Sequence, residues 1–114
     1  VSINTIQPKT PLVIAGKEYS LVYEFEAIAE AEEITGMALI SGLTQKDVRT
    51  PKISLVRAML FAGLHGRIPK ITLAEASKLV NQHNWAQIWE KILEAWVECM
   101  KAPDEVEDPP QALS

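Results

Sequence analysis

Ser54-Leu55-Val56-Arg57-Ala58-Met59-Leu60-Phe61-Ala62-Gly63-Leu64 is the stretch whose reading decides the fold. It reads as a helix, and its hydrophobicity exceeds what one core-facing stripe needs. At about 100° per residue, Leu55, Val56, Met59, Leu60 and Gly63 share one side while Phe61 falls roughly opposite, so one neighbouring layer cannot bury them all. This helix is expected at the centre of a small helical domain, with something further covering its far side.

Upstream, Leu12-Val13-Ile14 and Tyr19-Ser20-Leu21-Val22-Tyr23 are β-prone runs about the Gly-containing turn Ala15-Gly16-Lys17-Glu18, the pattern of a hairpin. A lone hairpin is marginal in water, so it should pack on helices. From Glu24 the period changes. Phe25, Ile28, Ala31 and Ile34 recur at helical spacing, and Gly36 stands where a left-handed residue would close the helix. The other sides of this first helix carry Glu24, Glu26, Glu30, Glu32 and Glu33, which read as a solvated face; carboxylates so spaced can also bind a cation or a basic partner, but no His or Asp joins them. Residues 37 to 52 form a connection or a short irregular helix, and Pro51 fits the first turn of the central helix.

Downstream, Gly66 and Pro69 stop the central helix, and Thr72-Leu73-Ala74-Glu75 has capping-box spacing for a third helix running through Ala76, Leu79 and Val80. Asn84 is placed to cap a fourth helix. There Trp85, Ile88, Trp89, Ile92, Leu93, Trp96, Cys99 and Met100 keep helical spacing over four turns, the clearest periodic signal in the chain. Its three tryptophans can fill a core or present a hot-spot surface to another protein. The expected architecture is α+β, mainly α: an N-terminal β-hairpin packed on a bundle of about four helices. Residues 1–10 read as a flexible leader, 11–102 as a single domain, and the Pro-rich 103–114 as an acidic disordered tail.

Composition narrows the function. The 114 residues are 47% hydrophobic and 23% charged, ordinary for one globular domain. Net charge is −4, and Asp104, Glu105, Glu107 and Asp108 account for it, leaving residues 1–102 balanced at eleven acidic against eleven basic side chains. Neutrality removes the usual electrostatic basis for nucleic-acid binding, and the fourth helix offers Glu90, Glu94 and Glu98 with Lys91 where a recognition helix needs basic and amide side chains. No apolar run approaches the roughly 20 residues of a membrane span, and no secretory signal is visible, so neither a membrane nor a nucleic acid is an expected partner and a cytoplasmic location is. Catalytic ingredients are few. His65 and His83 are the two histidines, and the lone Cys99 sits near a helix C-terminus that disfavours a thiolate. Five scattered glycines and one cysteine build no phosphate loop, dinucleotide fingerprint or zinc site, so no cofactor, metal or catalytic residue is assigned.

The order of segments across most of residues 12–100 resembles the tail assembly chaperones of long, non-contractile-tailed bacteriophages and their prophage or gene-transfer-agent relatives. Gly16-Lys17-Glu18-Tyr19 matches that family's hairpin turn, and Glu32-Glu33-Ile34-Thr35-Gly36-Met37-Ala38-Leu39 its acidic helix ending in Thr-Gly. Leu55-Val56-Arg57-Ala58-Met59-Leu60-Phe61-Ala62-Gly63-Leu64 looks like its Leu-Arg-Ala-Leu-Leu-Trp-Ala-Gly-Leu signature, with Phe61 where an indole is common, and Thr72-Leu73-Ala74-Glu75-Ala76 resembles its Thr-Leu-Glu-Glu segment. The resemblance implies a non-enzymatic chaperone in the host cytoplasm, absent from the mature virion. Its implied partners are the tape measure protein and, through a frameshift-extended form, the tail tube protein. Self-association is a further implication of an exposed apolar patch.

Apolar residues beyond one stripe motivate a partner surface of Arg57, Phe61, Trp89 and Trp96. Two other readings stay open: a small helical protein-interaction adaptor or antitoxin-like regulator, and a minor enzyme using Cys99 or a histidine.

Overall fold

The computed structural model describes residues 10–101; the expected flexible leader (residues 1–9 of it) and the acidic tail lie outside the described residues. Strands β1 (Thr10–Ile14) and β2 (Lys17–Leu21) form a two-stranded antiparallel sheet in which Leu12 pairs with Tyr19 and Ile14 with Lys17. Thr10, which the leader was expected to include, is buried in β1. Alternation along β1 sends Thr10, Leu12 and Ile14 inward and Pro11 and Val13 to the surface, the period of a half-buried strand. Ala15 (φ 52°) and Gly16 (φ 80°) form the two-residue turn, both with the positive φ that a type I′ hairpin requires.

Helix α1 (Phe25–Thr35) ends at Gly36, whose φ of 70° is left-handed and whose N–H donates to the Glu32 carbonyl. Its inward side is narrower than the apolar spacing suggested. Ile28 and Ala31 are buried, whereas Phe25 is 75% exposed and Ile34 also lies at the surface. Phe25 is the first residue of the helix and sits about 100° around from the middle of the Ile28, Ala31 and Thr35 side, so no second turn brings it back to the core. The expected irregular connection contains two short helices, α2 (Leu39–Gly42) and α3 (Gln45–Arg49). The first is capped from a distance: the Glu32 carboxylate accepts from the Leu39 N–H at 2.8 Å. The second carries a capping box between Thr44 and Asp47.

Helix α4 (Ile53–His65) is the central element. Pro51 precedes it by two residues rather than opening its first turn, and the Lys52 carbonyl accepts from the Leu55 and Val56 N–H groups instead. Nine of its residues are buried, including every position from Ala58 to Leu64, because α1, α5 (Leu73–Lys78), α6 (Trp85–Met100) and β2 all pack against it. The far side that the sequence left uncovered is thus covered within the chain. One of its last carbonyls, that of Gly63, accepts from the Val22 N–H at 3.1 Å, which ties the hairpin exit to a helix end that lacks intrahelical partners.

Thr72 and Glu75 make the expected capping box at α5, which ends at Lys78, with Leu79 as its cap. Asn84 does not cap α6 with its side chain. It is turned back into the joint, where its Oδ1 accepts from the Asn81 N–H and its Nδ2 donates to the Leu79 carbonyl, while Asn81 Oδ1 accepts from the His83 and Asn84 N–H groups. Helix α6 covers both α4 and β1. Helices predominate over the single hairpin, so the fold is α+β, mainly α, with six helices among the described residues; none is long and apolar enough to cross a membrane.

Candidate functional site

Arg57, Phe61, Trp89 and Trp96 do not form one accessible patch. Phe61 is 7% exposed, Trp89 4% and Trp96 9%, whereas Arg57 is exposed on α4. The three aromatics are core residues, which corrects the expectation that the surplus apolar side chains face a partner. Each has a defined internal task. Phe61 stacks on His65 with ring centroids 4.8 Å apart and planes at 27°. Trp89 donates its indole N–H to the Val48 carbonyl at 2.8 Å, fastening α3 to α6. Trp96 meets Tyr23 edge to face at 5.7 Å and 71°, an arrangement that aligns a ring's positive edge with a negative face.

Apolar surface is found elsewhere. Val13 on β1, Phe25 on α1, Ile40 on α2, Ile53 on α4, and Val97 and Met100 on α6 are exposed. Ile53 and Arg57 lie one turn apart on the same side of α4, so the first turns of this helix form the accessible part of an otherwise buried element. Sequence periodicity missed Phe25 and Ile34, which it assigned to the core. The available signal was their offset from the Ile28 and Ala31 direction.

A cleft of about 350 Å³ lies between α1 and the end of α4, floored by Val22, Ala27 and Ala62 and rimmed by Glu24, Glu26 and Glu30. The acidic face of α1 is therefore only partly solvated. Glu30 reaches His65, whose Nδ1 is 2.9 Å from one carboxylate oxygen, and Glu32 caps α2. Among the described residues no three His, Cys, Asp or Glu side chains converge as a metal site.

Cys99 accepts from the Tyr23 N–H at 3.3 Å. Burial pushes its thiol pKa up, the Tyr23 N–H pulls the other way, and Glu98 and Glu24 reinforce the rise. This arrangement keeps the sulfur protonated and gives it a packing task, the opposite of an activated nucleophile. His83 is exposed in the joint before α6, and its N–H is taken up by Asn81.

Comparison with protein-family models, curated proteins and solved structures found no match.

Proposed function

We propose that this chain is a phage tail assembly chaperone, a non-enzymatic protein that binds the tape measure protein and helps recruit tail tube subunits during tail morphogenesis. The observation that carries the reading is the order of four segments: the Gly16-Lys17 hairpin turn, the acidic helix closing at Thr35-Gly36, the Leu55 to Leu64 helix, and Thr72-Leu73-Ala74-Glu75. Their roles in the fold support it. The turn closes the hairpin, Gly36 terminates α1, Gly63 lets the hairpin exit approach α4, and Thr72 caps α5, so the resembling residues are those that hold this architecture together.

A chaperone of a long helical partner needs modest contacts repeated many times, because many weak copies along one chain act through avidity. On this reading the accessible start of α4, Ile53 with Arg57, contributes to the contact, and the protein acts in the host cytoplasm and is left out of the mature virion. A frameshift-extended form would bring in the tail tube protein.

The test is co-expression of the tagged chain with its neighbouring genes, affinity capture, and mass spectrometry of what co-purifies. Recovery of a long helical tape measure protein is the expected result. Recovery of an unrelated regulator in its place would move the assignment to a helical interaction adaptor.

A further inference from the structure

The imidazole of His65, the last residue of α4, is enclosed by acceptors from two other parts of the fold. Its Nδ1 lies 2.9 and 3.0 Å from the two carboxylate oxygens of Glu30 on α1, and its Nε2 lies 3.2 Å from the Pro69 carbonyl in the turn that follows α4. Phe61, itself buried, stacks on one face of the ring and restricts its rotation. A neutral imidazole carries one N–H and one lone pair. With either tautomer one nitrogen would aim its lone pair at an oxygen, and the doubly protonated ring alone donates on both sides.

From this geometry we infer that His65 is a proton-dependent clasp: as imidazolium it ties α1 to the end of α4 and to the 66–70 turn, and loss of its proton releases α1 there. The charged groups around it favour the proton on balance. Glu26, Glu30 and Glu33 face it from α1 and Glu24 rims the adjoining cleft, while Arg67 in the turn opposes them. The ring's pKa is raised above the ordinary histidine value, first by the hydrogen bond to Glu30, with a smaller opposing effect of partial burial.

The direction of the pH effect follows. A group whose folded pKa exceeds its unfolded value contributes stability that is fully present below the unfolded value, about 6.5 for histidine, and is lost as pH rises through the higher folded value. The clasp is therefore closed below the ordinary histidine value and opens as pH rises through the higher folded value. Opening loosens the α1 wall of the cleft that Ala27 and Ala62 line.

Imidazole nitrogen NMR of the full chain across pH 5–9 (roughly the range over which a histidine titrates), with hydrogen exchange of the α1 amides, tests this. Expected are a His65 midpoint above the ordinary value, its downward shift in Glu30→Gln, and several-fold faster exchange over residues 27–33 above the midpoint, after correction for the intrinsic pH dependence. A midpoint at or below the ordinary value, or one that Glu30→Gln leaves unmoved, overturns the clasp. So does α1 exchange that is the same on both sides of the midpoint. Should Glu30→Gln fail to fold, the midpoint and exchange of the unaltered chain still decide.

Discussion

The α-carbon of Gly63 rests against the ring of Tyr23: a Cβ built at Gly63 would lie 2.8 Å from the Tyr23 hydroxyl oxygen and 2.9 Å from Leu21 Cδ2. Both neighbours are buried, and the Tyr23 hydroxyl donates to the Met59 carbonyl one turn earlier on α4. The hairpin exit and the central helix can therefore meet at this distance because position 63 has no side chain.

Gly63→Ala is expected to destabilise the protein. Alanine inside a helix ordinarily gains up to about 1 kcal/mol over glycine, but forcing a methyl into a filled core costs about 1–3 kcal/mol and here also displaces a hydrogen-bonded ring. The clash should dominate, lowering the melting temperature by several degrees. A variant that melts at or above the parent would show that the Tyr23 ring gives way freely.

Tyr23 should resist ionisation. Burial raises its pKa well above the usual phenol value, with a smaller push from Cys99. Because the folded value exceeds the unfolded one near 10, the stability it contributes is intact below about pH 10 and is lost as pH rises further. Alkaline unfolding followed by circular dichroism should coincide with one tyrosinate absorbance step, and Tyr23→Phe should remove that step. Its cost at neutral pH is expected at about 0.5–1.5 kcal/mol, the net worth of one hydrogen bond. A Tyr23 that ionises before the fold is lost would contradict this.

Ala15→Asn should stabilise the hairpin. Ala15 is exposed with φ at 52°, a region that costs an ordinary L-residue about 1 kcal/mol or more, and asparagine before glycine is the preferred pair for such a turn. The gain expected from chemical denaturation is on the order of 0.5 kcal/mol, with an unchanged denaturant slope. A loss of stability would mean that the turn holds its conformation for another reason.

Phe61 and Arg57 should separate folding from surface effects. Phe61→Asp places a carboxylate in the core beside His65, and a loss exceeding about 3 kcal/mol is expected from the missing ring and the buried charge. Arg57→Glu changes an exposed side chain with no carboxylate within 4 Å among the described residues, so its melting temperature should stay within a degree or two, as is typical of surface changes. If Arg57→Glu also leaves capture of the tape measure unchanged, the start of α4 is not part of the contact.

The elements themselves were legible because their causes are local. Alternation and a Gly turn specify the hairpin, a left-handed glycine ends α1, Thr72 and Glu75 cap α5, and the 3.6-residue period runs unbroken from Trp85 to Met100. The excess hydrophobicity of Leu55 to Leu64 likewise marked the central helix. What lay on either side of that helix was decided only by tertiary packing. Whether Phe61, Trp89 and Trp96 meet solvent depends on α1, α3, α6 and the hairpin arriving from distant parts of the chain, and their arrival buried all three. The same holds for the polar contacts that organise the fold. Glu30 with His65 spans 35 residues, Trp89 with Val48 spans 41 and Tyr23 with Cys99 spans 76, distances over which side-chain periodicity carries no information. Local sequence determines which face a residue occupies on its own element; which neighbour covers that face is settled by the summed burial of the whole chain.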